Sequence, residues 1–243
     1  MKRIFLILLI IFSDCLVFAE YGNAFVFAQV RYRGNWDPYP YVWKDILNFL
    51  LTTTSIEVYP ERVVVDLSDD KIFSLPFLIM LGRNDFSGFS RQEKENLRRF
   101  IDRGGMLFID DSSGWSGADF SRIVQQELNQ IFPEAPLRPI PPDYPIFRSY
   151  YLLRAMGGRL LVKNYLLGST IAGRPAIIYS YNDLLGAWAR DRLGNYLWEC
   201  QPGGETQRFA AQQLTLNIIM YALCGTYKAD AVHQPYIQEK LRQ

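Results

Sequence analysis

Histidine occurs once in the 243 residues, at position 233, and cysteine three times. A Ser–His or Cys–His hydrolytic pair needs a base held within hydrogen-bond reach by a third group. One histidine in a polar C-terminal stretch does not supply it. Zinc sites draw on clustered His and Cys, which are also missing. There is no G-x-S-x-G elbow, no Walker loop and no G-x-G-x-x-G after the first strand, so those routes to hydrolysis and nucleotide binding have no support. An excess of either charge is lacking too. Lys and Arg number 26 against 25 Asp and Glu, without the basic surplus that marks a nucleic-acid binder.

Long apolar runs are absent beyond the N-terminus. Lys2 and Arg3 precede Ile4–Phe12, an apolar stretch too short to cross a bilayer, and Val17-Phe18-Ala19 ends in small residues before Glu20. This is the layout of a secretory signal over residues 1–19, cleaved after Ala19; a retained N-terminal anchor is the alternative. Asp14, directly before Cys15, speaks against a lipidated cysteine. With Lys2, Arg3 and Asp14 removed, basic and acidic side chains balance. The expectation is an exported protein of the periplasm or cell envelope, with no membrane span after cleavage. Cys200 and Cys224 would then meet an oxidising compartment, and both a disulfide and two buried thiols stay open. The remainder suits one domain, residues 20–225, with a polar tail over 226–243.

What is present is a βα rhythm. Ser90 and Glu93 form an S-x-x-E capping box, Leu97, Phe100 and Ile101 repeat at helical spacing, and Gly104-Gly105 ends the helix. Met106–Ile109 is a short unbroken apolar run, as expected of a strand buried on both faces. Strands are also expected over 24–32, 63–66, 77–81, 166–171 and 176–179, with a short one over Tyr196–Cys200. Further helices follow Pro40, cover 120–132 and begin near Glu205. Alternation of this kind predicts an α/β fold of right-handed βαβ units on a mostly parallel central sheet. The proline-rich segment 133–145 reads as an extended surface loop.

If the sheet is parallel, the carboxyl ends of its strands share one rim, where open α/β sheets place their ligands. That rim would gather Arg31, Arg33 and Trp36, then Asp66, Arg83 and Asp85, then Asp110 and Asp111. Asn182, Asp183 and Trp188 could join after a later strand. Carboxylates with carbonyl oxygens could take a hard cation, and carboxylates beside Trp and Arg could take a sugar or peptide. Two close carboxylates could do acid–base work on a glycosidic bond. The plainer reading is turn chemistry: adjacent Asp residues cap the next segment and pair with Arg31, Arg33 or Arg83. Arg31, Arg33, Trp36, Asp85, Asp110, Asp111, Asn182 and Asp183 are therefore ligand-binding candidates. No catalytic residue, metal site or cofactor is assigned.

FAQVRYRGNW (Phe27–Trp36), RGGMLFIDD (Arg103–Asp111), PDYPIF (Pro142–Phe147), GRPAIIYSYNDL (Gly173–Leu184) and NIIMYAL (Asn217–Leu223) together resemble the bacterial domain family DUF4159. The resemblance implies a fold related to the class I glutamine amidotransferase-like superfamily, a flavodoxin-like α/β three-layer sandwich with a mostly parallel central sheet. Amidotransferases place a Cys nucleophile where this chain has Asp110-Asp111-Ser112. The family's D-H-P-I-[FY] loop reads Asp143-Tyr144-Pro145-Ile146-Phe147 here, so a histidine-dependent activity would be lost. The resemblance further implies company with envelope proteins of von Willebrand-type and MoxR-associated systems. Together these readings point to a non-catalytic binding or assembly module of the envelope. The alternatives are a carboxylate- or metal-dependent hydrolase of envelope carbohydrate or peptide, and a purely structural subunit.

Overall fold

The computed structural model describes residues 21–84 and 86–228, with side chains to Cys224. The expected signal, Asp85, His233 and the tail beyond Lys228 lie outside the described residues.

Seven strands form one mixed sheet: β1 (Ala28–Arg31), β2 (Val63–Asp66), β3 (Phe77–Gly82), β4 (Met106–Asp111), β5 (Arg138–Pro139), β6 (Leu167–Ile171) and β7 (Arg174–Ser180). Their order is β2-β1-β3-β4-β7-β6-β5. The first five in that order run parallel, and β6 and β5 extend the sheet antiparallel. Four helices flank it: α1 (Val42–Thr53), α2 (Arg91–Asp102), α3 (Asp119–Ile131) and α4 (Gly204–Lys228). The parallel part has the strand order of doubly wound flavodoxin-like sheets.

The apolar residues sort by face. Phe77, Ile79 and Leu81 of β3 point to the side covered by α1 and α4, where Ile46, Leu50, Leu214 and Ile218 complete one core. Leu78 and Met80 point to the other side, against Leu97 and Phe100 of α2 and Phe120 and Val124 of α3. Alternation along a strand buried on both faces thus feeds two cores and makes three layers.

Local signals behave as their chemistry requires. The Glu93 N–H donates to Ser90 Oγ at 3.3 Å, and the Ser90 N–H donates to Glu93 Oε2 at 2.6 Å, closing the capping box of α2. Gly104, at φ 97°, ends that helix in the left-handed region. The β6–β7 hairpin turns on Ala172 and Gly173, both at positive φ. Pro139 sits on the edge strand β5, where a missing N–H costs no ladder bond.

Two expectations change. The first strand is shorter than 24–32, because Phe25 bridges to Val58 outside the named strands. Tyr196–Cys200 is not a strand. Only Tyr196 pairs, with Arg190, in an isolated antiparallel bridge. The guanidinium groups of Arg190 and Arg208 lie 3.8 and 3.7 Å from the Tyr196 ring centroid, so this segment is held by stacking instead of a ladder. Cys200 and Cys224 are free thiols.

Candidate functional site

Because β1, β2, β3, β4 and β7 are parallel, their carboxyl ends do share one rim. The candidates nevertheless separate into an interior group and an outer group.

Asp110, Asp111, Asn182 and Asp183 form the interior group, each at most 1% exposed. Asp110 pairs in register with Ser180 across β4 and β7, which brings it beneath the turn that follows β7. Its two carboxylate oxygens accept the N–H groups of Leu184 and Leu185 at 2.9 and 2.8 Å. It therefore caps the short 3-10 turn Leu185–Ala187. Asp183 stands at φ 52°, a conformation that Asp tolerates better than most residues. Tyr39 Oη lies 2.9 and 2.8 Å from its two oxygens, the Gly186 N–H donates at 3.2 Å, and Arg159 Nε donates in an ion pair. Asp111 accepts from Tyr179 Oη at 2.6 Å and from the Ser113 N–H at 2.9 Å. Asn182 uses both ends of its amide on one residue: Oδ1 accepts the Lys163 N–H at 2.8 Å, and Nδ2 donates to the Lys163 carbonyl at 2.7 Å.

Electrostatics follow from this burial. Loss of water pushes the Asp110 carboxyl well above the usual carboxylate range, Asp183 adds to the rise, and the two N–H groups oppose it. Burial also raises Asp183, with Arg159 and Tyr39 pulling the other way. Asp111 is raised by burial against its Ser113 and Tyr179 bonds. Above this group lies Trp198, its ring 5.5 Å from Tyr39 and 5.4 Å from the Arg159 guanidinium.

The outer group is dispersed. Arg31 pairs with Asp66 in register across β1 and β2, with Nε–Oδ1 at 2.9 Å. The pair is exposed, and hydrogen bonding to Arg31 lowers the Asp66 carboxyl. Trp36 is half-buried, with the Arg62 guanidinium 5.6 Å from its ring and its carbonyl accepting from Gln29 Nε2 at 3.0 Å. Arg33 is exposed in the loop after β1, and Asp85 lies outside the described residues. Trp188 is buried and donates to Thr215 Oγ1 at 3.1 Å. In doubly wound sheets the crevice beyond neighbouring strands β1 and β3 is the usual ligand position. Here aromatic rings fill one side of it: Tyr32 packs edge-on to Phe86 at 5.0 Å and lies 6.2 Å from Phe120.

Of these acids only Asp183 pairs with an arginine, and it is Arg159, not Arg31, Arg33 or Arg83; Asp110 and Asp111 are held by backbone N–H groups and by Tyr179. Sequence reasoning missed Arg159, Tyr39 and Trp198. The available signal was Gly157-Gly158 just before Arg159. Gly158, at φ 147°, lets the backbone pass so close to Asn182 that a Cβ would fall 2.2 Å from its carbonyl oxygen.

No group of three or more His, Cys, Asp and Glu among the described residues is placed to hold a metal ion. No described helix is long and apolar enough to cross a membrane. A comparison with curated proteins finds no match. Residues 26–223 match the family described as a domain of unknown function, DUF4159, and with most of its length inside that match the chain belongs to this family.

Proposed function

We propose that the protein is an exported envelope module that binds a partner without catalysing a reaction, on a scaffold of the glutamine amidotransferase-like kind without its nucleophile. The observation that carries this reading is the sealing of Asp110, Asp111, Asn182 and Asp183. All four are buried, and each is bonded to groups of this chain. Ser112, next in line at the end of β4, is buried too and donates its hydroxyl to the Gly82 carbonyl at 2.7 Å. A reacting atom needs a group it can touch.

The outside of the same rim is built for contact. A tight turn over 190–196 is fixed by Asp191, whose Oδ1 accepts the Leu193 and Asn195 N–H groups at 2.8 and 2.9 Å. Its Gly194 carbonyl accepts from Arg190 Nη1 at 2.6 Å. This ordered turn holds Leu193 87% exposed. Beside it is a cleft of ≈ 560 Å³ lined by Tyr41, Lys44, Asp45, Arg190 and Arg192. An exposed apolar tip on a pre-organised turn, beside a cleft where Lys44, Arg190 and Arg192 outnumber Asp45 and Asp191, suits a protein partner with an apolar socket and a mainly acidic border. Envelope proteins of von Willebrand-type or MoxR-associated systems are the first partners to examine.

A photo-crosslinking amino acid in place of Leu193, in the native host, tests this. One dominant adduct is expected, lost on adding Lys44→Glu and Arg192→Glu. Labelling no different from that obtained at exposed Leu51 on α1 overturns it. The hydrolase reading draws on the raised Asp110 carboxyl, since perturbed carboxyls gather at active sites. Turnover of an envelope glycan or peptide by the parent, abolished in Asp110→Asn with the fold intact, would replace the binding reading.

A further inference from the structure

A second cavity, of ≈ 280 Å³, lies where the 140–165 segment passes the antiparallel edge of the sheet. Its walls are Ile140, Phe147, Leu153, Met156 and Tyr165, with Arg154 and Asn164 also lining it. Arg154 is exposed and forms no hydrogen bond or ion pair among the described residues. Protein interiors ordinarily close over such apolar surface.

The cavity persists because its walls are fastened from both sides by buried amides. On one side, Asn217 of α4 accepts the Tyr150 and Tyr151 N–H groups at 3.1 and 2.8 Å and donates to the Tyr151 carbonyl at 2.9 Å. The Leu153 N–H then donates to the Phe147 carbonyl at 3.0 Å. On the other side, Asn182 holds Lys163 by both its N–H and its carbonyl, next to Asn164 and Tyr165. The Ile140 N–H donates to the Leu166 carbonyl at 2.9 Å, tying the third wall to the sheet. Asn182 is thus a clamp on this cavity.

We propose that this cavity is a binding site for a small amphiphilic carboxylate, a short acyl or single-ring body with an anionic head. The apolar walls take the body, and Met156 adapts to its shape. Arg154 offers a planar donor fork matched to a carboxylate, and the Asn164 amide is a second donor. The volume of ≈ 280 Å³ lies just under the usual ligand-pocket range of about 300–1,000 Å³, which favours a short chain over a sugar polymer or nucleotide. An unpaired cation over an apolar floor disfavours a cationic amphiphile.

The probe is decanoate, titrated calorimetrically into the purified protein, with decyltrimethylammonium as the opposite-charge control. Saturation at one decanoate per chain, a higher Tm and no response to the cation are expected. Arg154→Glu should weaken decanoate by about tenfold, the loss of one charge-assisted contact. Met156→Trp should fill the cavity and abolish binding while the ligand-free Tm holds. Leu193→Asp on the rim should bind decanoate like the parent, so failure of the rim reading leaves this one standing. No decanoate binding overturns the proposal, as does equal binding of both amphiphiles. Binding indifferent to Met156→Trp, or association with phosphatidylglycerol vesicles in place of decanoate, also overturns it.

Discussion

The Tyr39 hydroxyl reaches both carboxylate oxygens of Asp183, at 2.9 and 2.8 Å, across 144 residues of sequence. It joins the loop leading into α1 to the turn after β7, and the Arg159 ion pair adds a third segment to the same carboxylate. Three lengths of irregular chain at this end of the sheet are thus tied to one buried acid.

Removing Arg159 strands a buried charge, whereas removing Tyr39 takes away one donor, and the two cases differ in size. Arg159→Met should destabilise the fold by about 3–5 kcal/mol, the usual cost of breaking one side of a buried ion pair. Tyr39→Phe should cost about 1–3 kcal/mol, since Asp183 keeps its cation. Urea unfolding at neutral pH reads both. Arg159→Met within about 0.5 kcal/mol of the parent would mean that Asp183 finds water or another donor.

The fold was legible where the signal is local. Ser90 and Glu93 cap α2 with residues three apart, Gly104 ends it, and Met106–Ile109 announces a central strand. Those features also placed Asp110 and Asp111 at a strand end on the correct rim. What the two carboxylates touch was not legible. Tyr39 and Arg159 lie in segments without a repeating pattern, and their meeting with Asp183 depends on β7 lying beside β4, a pairing of distant strands. Arg31 found Asp66 instead, because β1 and β2 are neighbours in register. The Tyr196–Cys200 segment misled for a related reason: its aromatic residues stack on Arg190, Arg208 and Tyr39 instead of facing a sheet.

Gly82, at the end of β3, accepts no side chain. A Cβ there would fall 1.8 Å from the Phe120 ring of α3. Gly82→Ala should cost about 1–3 kcal/mol as overpacking. In a Phe120→Val background the ring is gone, and the same substitution should become nearly neutral. A double-mutant cycle on unfolding free energies should give a coupling of at least about 1 kcal/mol. Additive costs would show that β3 and α3 move apart freely.

Cys200 is buried, and burial raises its thiol further from the reactive thiolate. Its reaction with Ellman's reagent should be slow in the native protein and should track global unfolding as denaturant is added. Since Cys200 and Cys224 are both free, a chain cleaved after Ala19 should release two thiols in denaturant without reductant. Finding none would establish a disulfide and a different course for the segment before α4.

Asp110 sets a pH dependence of unusual sign. Its carboxyl is raised in the fold by burial and by Asp183, whereas an unfolded Asp titrates near about 3.9. The folded protein therefore holds a proton that the unfolded chain has released. Stability from this group is complete below about pH 4 and is lost as pH rises through the folded value, at up to about 1.4 kcal/mol per pH unit. Asp111 and Asp183 are raised too and act in the same direction, while Asp66, lowered by Arg31, acts in the other. Asp110→Asn isolates one contribution. The variant loses an acceptor for one of the Leu184 and Leu185 N–H groups, a cost that does not vary with pH. Its stability relative to the parent should therefore improve as pH rises above about pH 4 and level off beyond the folded value of Asp110, as read in urea titrations. A constant difference across that range would mean that Asp110 is ionised in the fold, with its two N–H bonds outweighing both its burial and the charge of Asp183.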